Sequence, residues 1–510
     1  MNLQIRRIFH MANKQSLQKE TSSFWRSTDK LPNYNQLDKD ILVDTVVAGG
    51  GIAGITTAYM LAKKGKKVAL VEARQLVSGT TGYTTSKLTA QHDLIYNELI
   101  KRYNKDTAKK YYQANMEALA LVKKFQSEEK IDCELEEADA YVYTETSDWE
   151  EWLEREAHAY ETLGIDGELV KNMPLDLDIK SAIVMHKQAQ FHPVKYLHGL
   201  LKAIEKNGGE IYEHTTVMDV ENNNGLTCKT DKGYSLTCEN IVFATHAPIY
   251  EPDDFYSNHL KPESSYALAV KTEKSFPGSM YINAELPKRT MRAMKVDGED
   301  YVLVGGESHD TGDGLSSQER YEELLAYADK HFGVIEVVDH WSSHDLFSPD
   351  RIPFIGKMFA DKENIYTATG FGKWGLSAAT IGAEVLTDLI LGKFNVYTSL
   401  FSPARELNDT DKEDESETNA RTDANEATKS KDLENGQGAM IEIDGDEIGA
   451  YRDNQGELHL LDISCTHMGC GVVWNDGDHT WDCPCHGSRF NAIGEVIEGP
   501  AIEPLGKAEK

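Results

Sequence analysis

Long apolar runs are missing from this sequence of 510 residues. None approaches the roughly 18–20 residues that cross a bilayer, so no membrane-spanning segment is expected. Positive charge is also scarce. Lys and Arg number 53 against 84 Asp and Glu, a net charge of −31. Nucleic acid and anionic membranes would be repelled by such a chain and are excluded as partners. A solvated acidic surface, or one that docks a basic redox partner, remains. Cysteine is thin over the first 400 residues, where Cys133, Cys228 and Cys238 read as scattered reduced thiols rather than a disulfide framework. No internal repeat is present.

What is present is organised in blocks. Arg6-Arg7-Ile8-Phe9 faintly resembles a twin-arginine signal, but His10–Gln15 is too polar for the apolar region such a signal needs. Residues 1–40 form an N-terminal extension, its first 35 residues a disordered or loosely docked leader, with Met11 an alternative start. The expected location is the cytoplasm. From Ile41 to about Leu400 strand-like and helix-like stretches alternate, as in an α/β protein. Residues 403–432 hold almost no large apolar side chain and include the acidic run Asp409–Glu417, a solvated linker. From 433 to 510, short strands and Gly-rich turns suggest a small all-β domain that a metal would help to staple.

Asp44-Thr45-Val46-Val47-Ala48 reads as a buried strand, followed by Gly49-Gly50-Gly51-Ile52-Ala53-Gly54 and an Ala/Leu-rich helix to Lys64. A second strand, 67–71, ends in Glu72. Gly49 permits a tight turn, Gly51 lets the backbone approach a pyrophosphate, and Gly54 lets helix pack on strand. Glu72, eighteen residues past Gly54, is placed to accept from ribose hydroxyls; the plainer reading is a solvated strand-end acid. A second G-x-G-x-x-G runs Gly370-Phe371-Gly372-Lys373-Trp374-Gly375. No strand ending in an acid follows Leu391, so this unit does not close as a second nucleotide site.

Near the C-terminus, Cys465-Thr466-His467-Met468-Gly469-Cys470 and Cys483-Pro484-Cys485-His486-Gly487-Ser488 each offer one thiolate and one imidazole. Four cysteines within 21 residues read as metal ligation first. A Cys₂His₂ set also suits zinc, although zinc fingers pair C-x-x-C with H-x₃₋₅-H, whereas each half-site here mixes sulfur and nitrogen.

The C-terminal boxes resemble the Rieske family, in its cytochrome bc-type branch, over about 433–510. The resemblance implies a 2Fe–2S cluster, with Cys465 and Cys483 on one iron and His467 and His486 on the other. It further implies a Cys470–Cys485 disulfide tying the two ligand loops, and a covering proline loop at Gly499-Pro500-Ala501. Phe490 stands where high-potential members carry a Tyr, so a hydrogen bond to cluster sulfur is lost and the potential lowered.

The segment 41–402 resembles the D-amino-acid oxidase-like superfamily of glycine and sarcosine oxidases. The likeness implies a Rossmann-like FAD domain with an interleaved α+β substrate domain at approximately 101–190 and 256–334. The Gly370, Gly372 and Gly375 motif would be its closing FAD segment, with a helix N-terminus aimed at the flavin. Gly79–Thr85, including Thr80 and Thr81, resembles the stretch beside pyrophosphate and flavin. The segment from Gly208 to Val217 resembles the strand meeting adenine, and Val242–Thr245 the A-T-G strand, with His246 replacing Gly. Asp350 through Gly356 resembles the run into the closing motif. No Cys or His stands where relatives attach flavin covalently, which implies dissociable FAD.

In amino-acid-oxidising relatives an Arg some eight residues before P-x-I-G binds the substrate carboxylate. Here that position is Asp345, and Lys373 replaces a second basic residue. A cationic or neutral substrate is thereby favoured over a plain α-amino acid; the plainer reading makes Asp345 a surface loop acid. Asp345, Lys373 and His246 are the catalytic candidates. His92, His192 and His344 are further polar candidates, each first read as a structural histidine. Hydride transfer from a neutral amine needs no general base. The expected function is FAD-dependent dehydrogenation of an amine or amino-acid-like small molecule, with electrons passing to the cluster and then to an external acceptor. The alternative is a redox sensor or electron-transfer adaptor without turnover, in which an external donor is equally admissible. A linker of ~30 residues spans about 30 Å as a coil, so the small domain is expected to reach the flavin by tethered movement rather than through a fixed contact.

Overall fold

The apolar run Ile41–Ala48 forms a central strand, parallel to Val68–Val71 on one side and Ser235–Phe243 on the other. In the computed structural model, which describes residues 17, 21–222, 225–251, 254–359, 363–407 and 433–508, this first sheet is ordered Phe354–Lys357, Ile365–Thr369, Ser235–Phe243, Ile41–Ala48, Val68–Val71, Glu210–Tyr212. Val68–Val71 and Ile365–Thr369 are buried at every position, as parallel strands covered by helices must be. The helices Ile52–Lys63 and Gly375–Ile390 share the hydrophobic core on one face, and both begin at glycine-rich turns.

A second, nine-stranded sheet is ordered Val334–Phe347, Lys261–Thr272, Glu299–Asp310, Arg289–Val296, Met280–Asn283, Glu136–Thr144, Ser181–Gln190, Lys87–Leu88, with Gly167–Val170 also on Ser181–Gln190. It is mostly antiparallel and is flanked by helices such as Ser317–Phe332, whose Ser316 and Glu319 form a capping box. Its strands reach beyond 101–190 and 256–334, taking in Lys87–Leu88 and all of Val334–Phe347. The C-terminal domain has two small sheets. Gly438–Ile443, Asp446–Arg452 and Leu458–Leu461 form one; Val473–Asn475, Thr480–Asp482, Arg489–Asn491 and Val496–Glu498 form the other. Each has its own small core, with Trp481 and Phe490 in the second.

The expected loose leader is corrected over its described part. The short helix Phe24–Thr28 buries Phe24 and Trp25, each worth about 1.5–3 kcal/mol of apolar burial. Ser22 N donates to His340 O at 3.0 Å and Trp25 Nε1 to Thr84 O at 2.7 Å. Residues 1–16 and 18–20, and most of the expected linker (408–432), lie outside the described residues. The linker's opening, 403–407, is not a free coil. Arg405 is nearly buried and grips Asp350 with Nε and Nη2, both at 2.7 Å. Among the described residues no helix is long and apolar enough to cross a membrane.

Candidate functional site

The first glycine turn closes because two positions carry no side chain. Gly49 has φ +109°, and a Cβ there would lie 2.3 Å from Ala244 O; a Cβ on Gly54 would lie 1.9 Å from Gly49 O. Strand, turn and helix therefore meet backbone to backbone. Gly51 caps the helix Ile52–Lys63, Thr81 Oγ1 accepts from Ile52 N at 3.1 Å, and Glu72 accepts from Gly50 N at 2.7 Å and Arg74 N at 2.9 Å.

These groups open onto a cavity of about 690 Å³. Gly49, Gly51, Glu72, Thr80, Thr81, Val217, Gly370, Gly372 and Gly375 all line it; Gly54 lies behind, against the strand. The cavity has the chemistry to hold a dinucleotide. Two helix N-terminal turns face it, favouring anionic groups. Arg74 Nε, Ser78 Oγ, His246 Nε2, Ser343 Oγ and Ser348 Oγ, on residues lining it, are buried with no partner among the described residues. Each such group left unpaired costs about 1–3 kcal/mol, so a polar ligand would satisfy them.

The three catalytic candidates converge at the far end. Asp345 is on the strand Val334–Phe347 and faces the cavity, not a surface loop. Burial pushes its carboxyl up, Lys373 and His246 oppose that, and Glu263 and Glu498 add to it. Lys373 Nζ donates to Glu263 Oε2 at 2.8 Å and Ser308 Oγ at 2.7 Å. His92 and His192 follow their plainer readings. His92 stacks on Trp374 and bonds Tyr111 and Thr89, with burial holding it down to about 3. His192 caps the helix Pro193–Lys206. Sequence reasoning missed Lys87, which lines the cavity with Nζ donating to Tyr281 O at 2.8 Å. Burial, aided by Arg292, brings it down to about 7. It also missed Glu263. Neither belongs to a motif, so only the folded sheet brings them there.

In the C-terminal domain Cys465 and Cys483 are buried and unbridged, near enough for each to perturb the other's thiol. The rings of His467 and His486 lie 4.9 Å apart, and Nδ1 of each is buried without a partner among the described residues. Two sulfurs and two orphaned nitrogens thus converge, a donor set that fits a 2Fe–2S cluster. Cys470 and Cys485 form a disulfide joining the two boxes. Ser488 Oγ accepts from Ala501 N at 3.0 Å, holding the Gly499-Pro500-Ala501 loop over the site.

The two sites share a wall. Along Val334–Phe347, Trp341, Ser343, Asp345 and Phe347 line the cavity, Ser342 and His344 point to the C-terminal domain, and Leu346 borders both. This is the period of two that any strand imposes. Asp478 accepts from Ser342 and, at 2.8 Å, from Tyr321 Oη. Thr80 Oγ1 donates to Glu498 at 3.1 Å, and residues 495–504 contribute to the cavity lining. His467 and His486, with Pro500, face Ala247, Glu251 and Ser257 across a narrow cleft. The expectation that the small domain relies on its tether more than on a fixed contact is therefore corrected. The partners are ordinary polar residues far apart in sequence, which composition does not reveal.

Comparisons with known proteins agree with this geometry. Residues 44–389 match the FAD dependent oxidoreductase family (DAO) and residues 424–509 the Rieske [2Fe-2S] domain. The chain is 40% identical over 504 residues to the Bacillus subtilis (strain 168) protein that carries the name Rieske 2Fe-2S iron-sulfur protein YhfW, covering 97% of this chain and 99% of that one. It is 22% identical over 411 residues to gamma-glutamylputrescine oxidoreductase of Escherichia coli (strain K12), covering 74% of this chain and 92% of that one. Glycine oxidase from Geobacillus kaustophilus shares the fold, with a TM-score of 0.62 and 19% identity over 72% of this chain and 100% of that one. The chain belongs to the FAD-dependent oxidoreductase family, an FAD-binding enzyme fused to a C-terminal Rieske domain that binds a 2Fe–2S cluster.

Proposed function

We propose that this protein is a dehydrogenase of an amine or amino-acid-like small molecule, handing its electrons through the Rieske domain to an external one-electron acceptor. The carrying observation is the shared wall: one strand separates the flavin cavity from the box Cys483–His486. When bound, FAD supplies two-electron oxidation, and the 2Fe–2S cluster carries electrons singly. Glu72 holds the ribose, the Gly49–Gly54 turn the pyrophosphate, Thr80 and Thr81 the flavin side, and Val217 the adenine side. Cys465 and Cys483 hold one iron, His467 and His486 the other.

Asp345 and Glu263 present carboxyl groups at the substrate end, while Lys373 neutralises Glu263 at 2.8 Å. That balance orients a substrate nitrogen and disfavours a carboxylate beside Asp345. The name of one similar protein, a gamma-glutamylputrescine oxidoreductase, points to the same substrate class. The three unbridged cysteines outside the cluster, Cys133, Cys228 and Cys238, suit the reducing cytoplasm, with the bridged pair protected by its position between the ligand loops. The test is anaerobic mixing with a panel of amines, amino acids and aldehydes. A member of the first two classes should bleach the flavin and then raise a Rieske EPR signal. If none bleaches it, while an external donor reduces the cluster, the protein is an adaptor without turnover.

A further inference from the structure

One residue on the wall strand meets the second ligand box at both ends. His344 is 1% exposed. Its Nδ1 lies 3.4 Å from the carbonyl oxygen of Gly487, the residue after His486. Its Nε2 lies 3.4 Å from Asp482 Oδ2, on the residue before Cys483, within ion-pair distance but without a hydrogen bond. The opposing surface is built to receive it. Asp482 is fixed by Arg489 Nε at 3.1 Å, Thr480 Oγ1 at 2.7 Å and Asn475 Nδ2 at 2.8 Å. Gly487 has φ +78°, a left-handed conformation that favours glycine, and a Cβ there would meet Pro262 at a tight 3.3 Å. His344 itself does not line the cavity, but its strand neighbours do. Ser343 and Asp345 flank it, and its carbonyl accepts from Thr80 Oγ1 at 2.9 Å, the hydroxyl that also meets Glu498.

We propose that His344 is a positioning residue: it seats the box Cys483–His486 on the strand Val334–Phe347 and so fixes the Rieske domain against the flavin cavity. It touches no reacting atom and acts through Asp482 and Gly487. Only the kinetic consequence rests on the proposed electron path; the seating itself does not.

The test compares the full-length holoprotein with His344→Phe, which keeps a ring of similar size but loses the Gly487 hydrogen bond and the Asp482 charge contact, and with His344→Gln, which keeps an amide donor. Small-angle scattering and hydrogen exchange over residues 480–489 report seating. EPR and flavin absorbance report cofactor loading. Cluster reduction after flash reduction of the flavin, at rising glycerol concentration, reports coupling. Wild type should be compact, with transfer insensitive to viscosity. His344→Phe should expand, lose exchange protection at residues 480–489, and transfer at least about tenfold more slowly and in a viscosity-dependent way, because a tether alone supplies only an effective concentration. Its EPR spectrum and flavin content should be unchanged, and His344→Gln should fall between. If His344→Phe does not load its cofactors, His344→Gln alone decides, by the same shifts in smaller measure. Unchanged dimensions, protection and transfer in a loaded variant would overturn the proposal. A wild type whose reduced flavin never reduces the cluster would overturn the electron path, leaving scattering and exchange to judge His344.

Discussion

The two cofactor sites are assembled in opposite ways. The cluster donors come from 22 consecutive residues, Cys465 to His486, closed by a local disulfide. The flavin cavity draws on segments from Ala48 to Leu376 and borrows part of its lining from residues 495–504 of the other domain. A local site rests on a few strong bonds and fails all at once. A dispersed one spreads its interactions and degrades by degrees. The wall strand joins the two, so each site is partly built from the other's domain.

The sharpest break in this comparison is Cys483→Ser. Iron and acid-labile sulfide should fall to background while flavin content stays near wild type, read by metal analysis and visible absorbance. Equal loss of FAD would mean that the two sites form one folding unit. Next is Asp350→Asn, which leaves the buried Arg405 without its anionic partner. Breaking a buried pair from one side costs about 3–5 kcal/mol, measurable by denaturant unfolding of the flavoprotein. Burial raises the Asp350 pKa, but the Arg405 pair outweighs it and holds the carboxyl below its ordinary value of 3.8. A depressed folded pKa adds stability that is complete above that value and is lost as pH falls through the folded one. Wild type should show this acid-side loss below about pH 3.8, and Asp350→Asn should lack it.

Replacing Cys470 and Cys485 together by Ala removes a link across 15 residues, worth about 3 kcal/mol. The cluster's visible circular dichroism should melt earlier, while flavin fluorescence keeps its transition. The smallest effect is at the cavity. A Cβ on Gly51 meets only the Thr81 side chain, its hydroxyl at 3.1 Å, and no backbone, so Gly51→Val should fold. Its branched side chain would enter the pyrophosphate position and weaken FAD binding about 100-fold, near 2.7 kcal/mol, read by flavin titration of the apoprotein.

How much of this was legible in the sequence follows the same division. The ligand boxes are legible because their spacing is local, and the Gly49–Glu72 unit because strand, turn, helix and acid lie within 30 residues. The α/β character of 41–400 follows from alternating apolar runs. Asp345 was found by its offset from Pro353, but its place on a strand facing the cavity was not, since a polar run such as Ser342–Asp345 carries no strand signature. The helix Phe24–Thr28 escaped notice because two buried aromatics in a polar segment leave no periodicity. The seating of the Rieske domain was illegible for a related reason. His344, Asp478 and Asp482 acquire meaning only when two distant segments meet, and the linker's composition reports nothing about the surfaces it joins.

The proposed path runs electrons from the flavin to the cluster inside the docked molecule. A potentiometric titration of the holoprotein, following flavin absorbance and the Rieske EPR signal in one sample, tests it most directly. Flow in that direction requires a cluster midpoint potential above that of the two-electron flavin couple, so that on stepwise reduction the cluster fills first. A cluster midpoint clearly below the flavin's would contradict it and reverse the direction of flow.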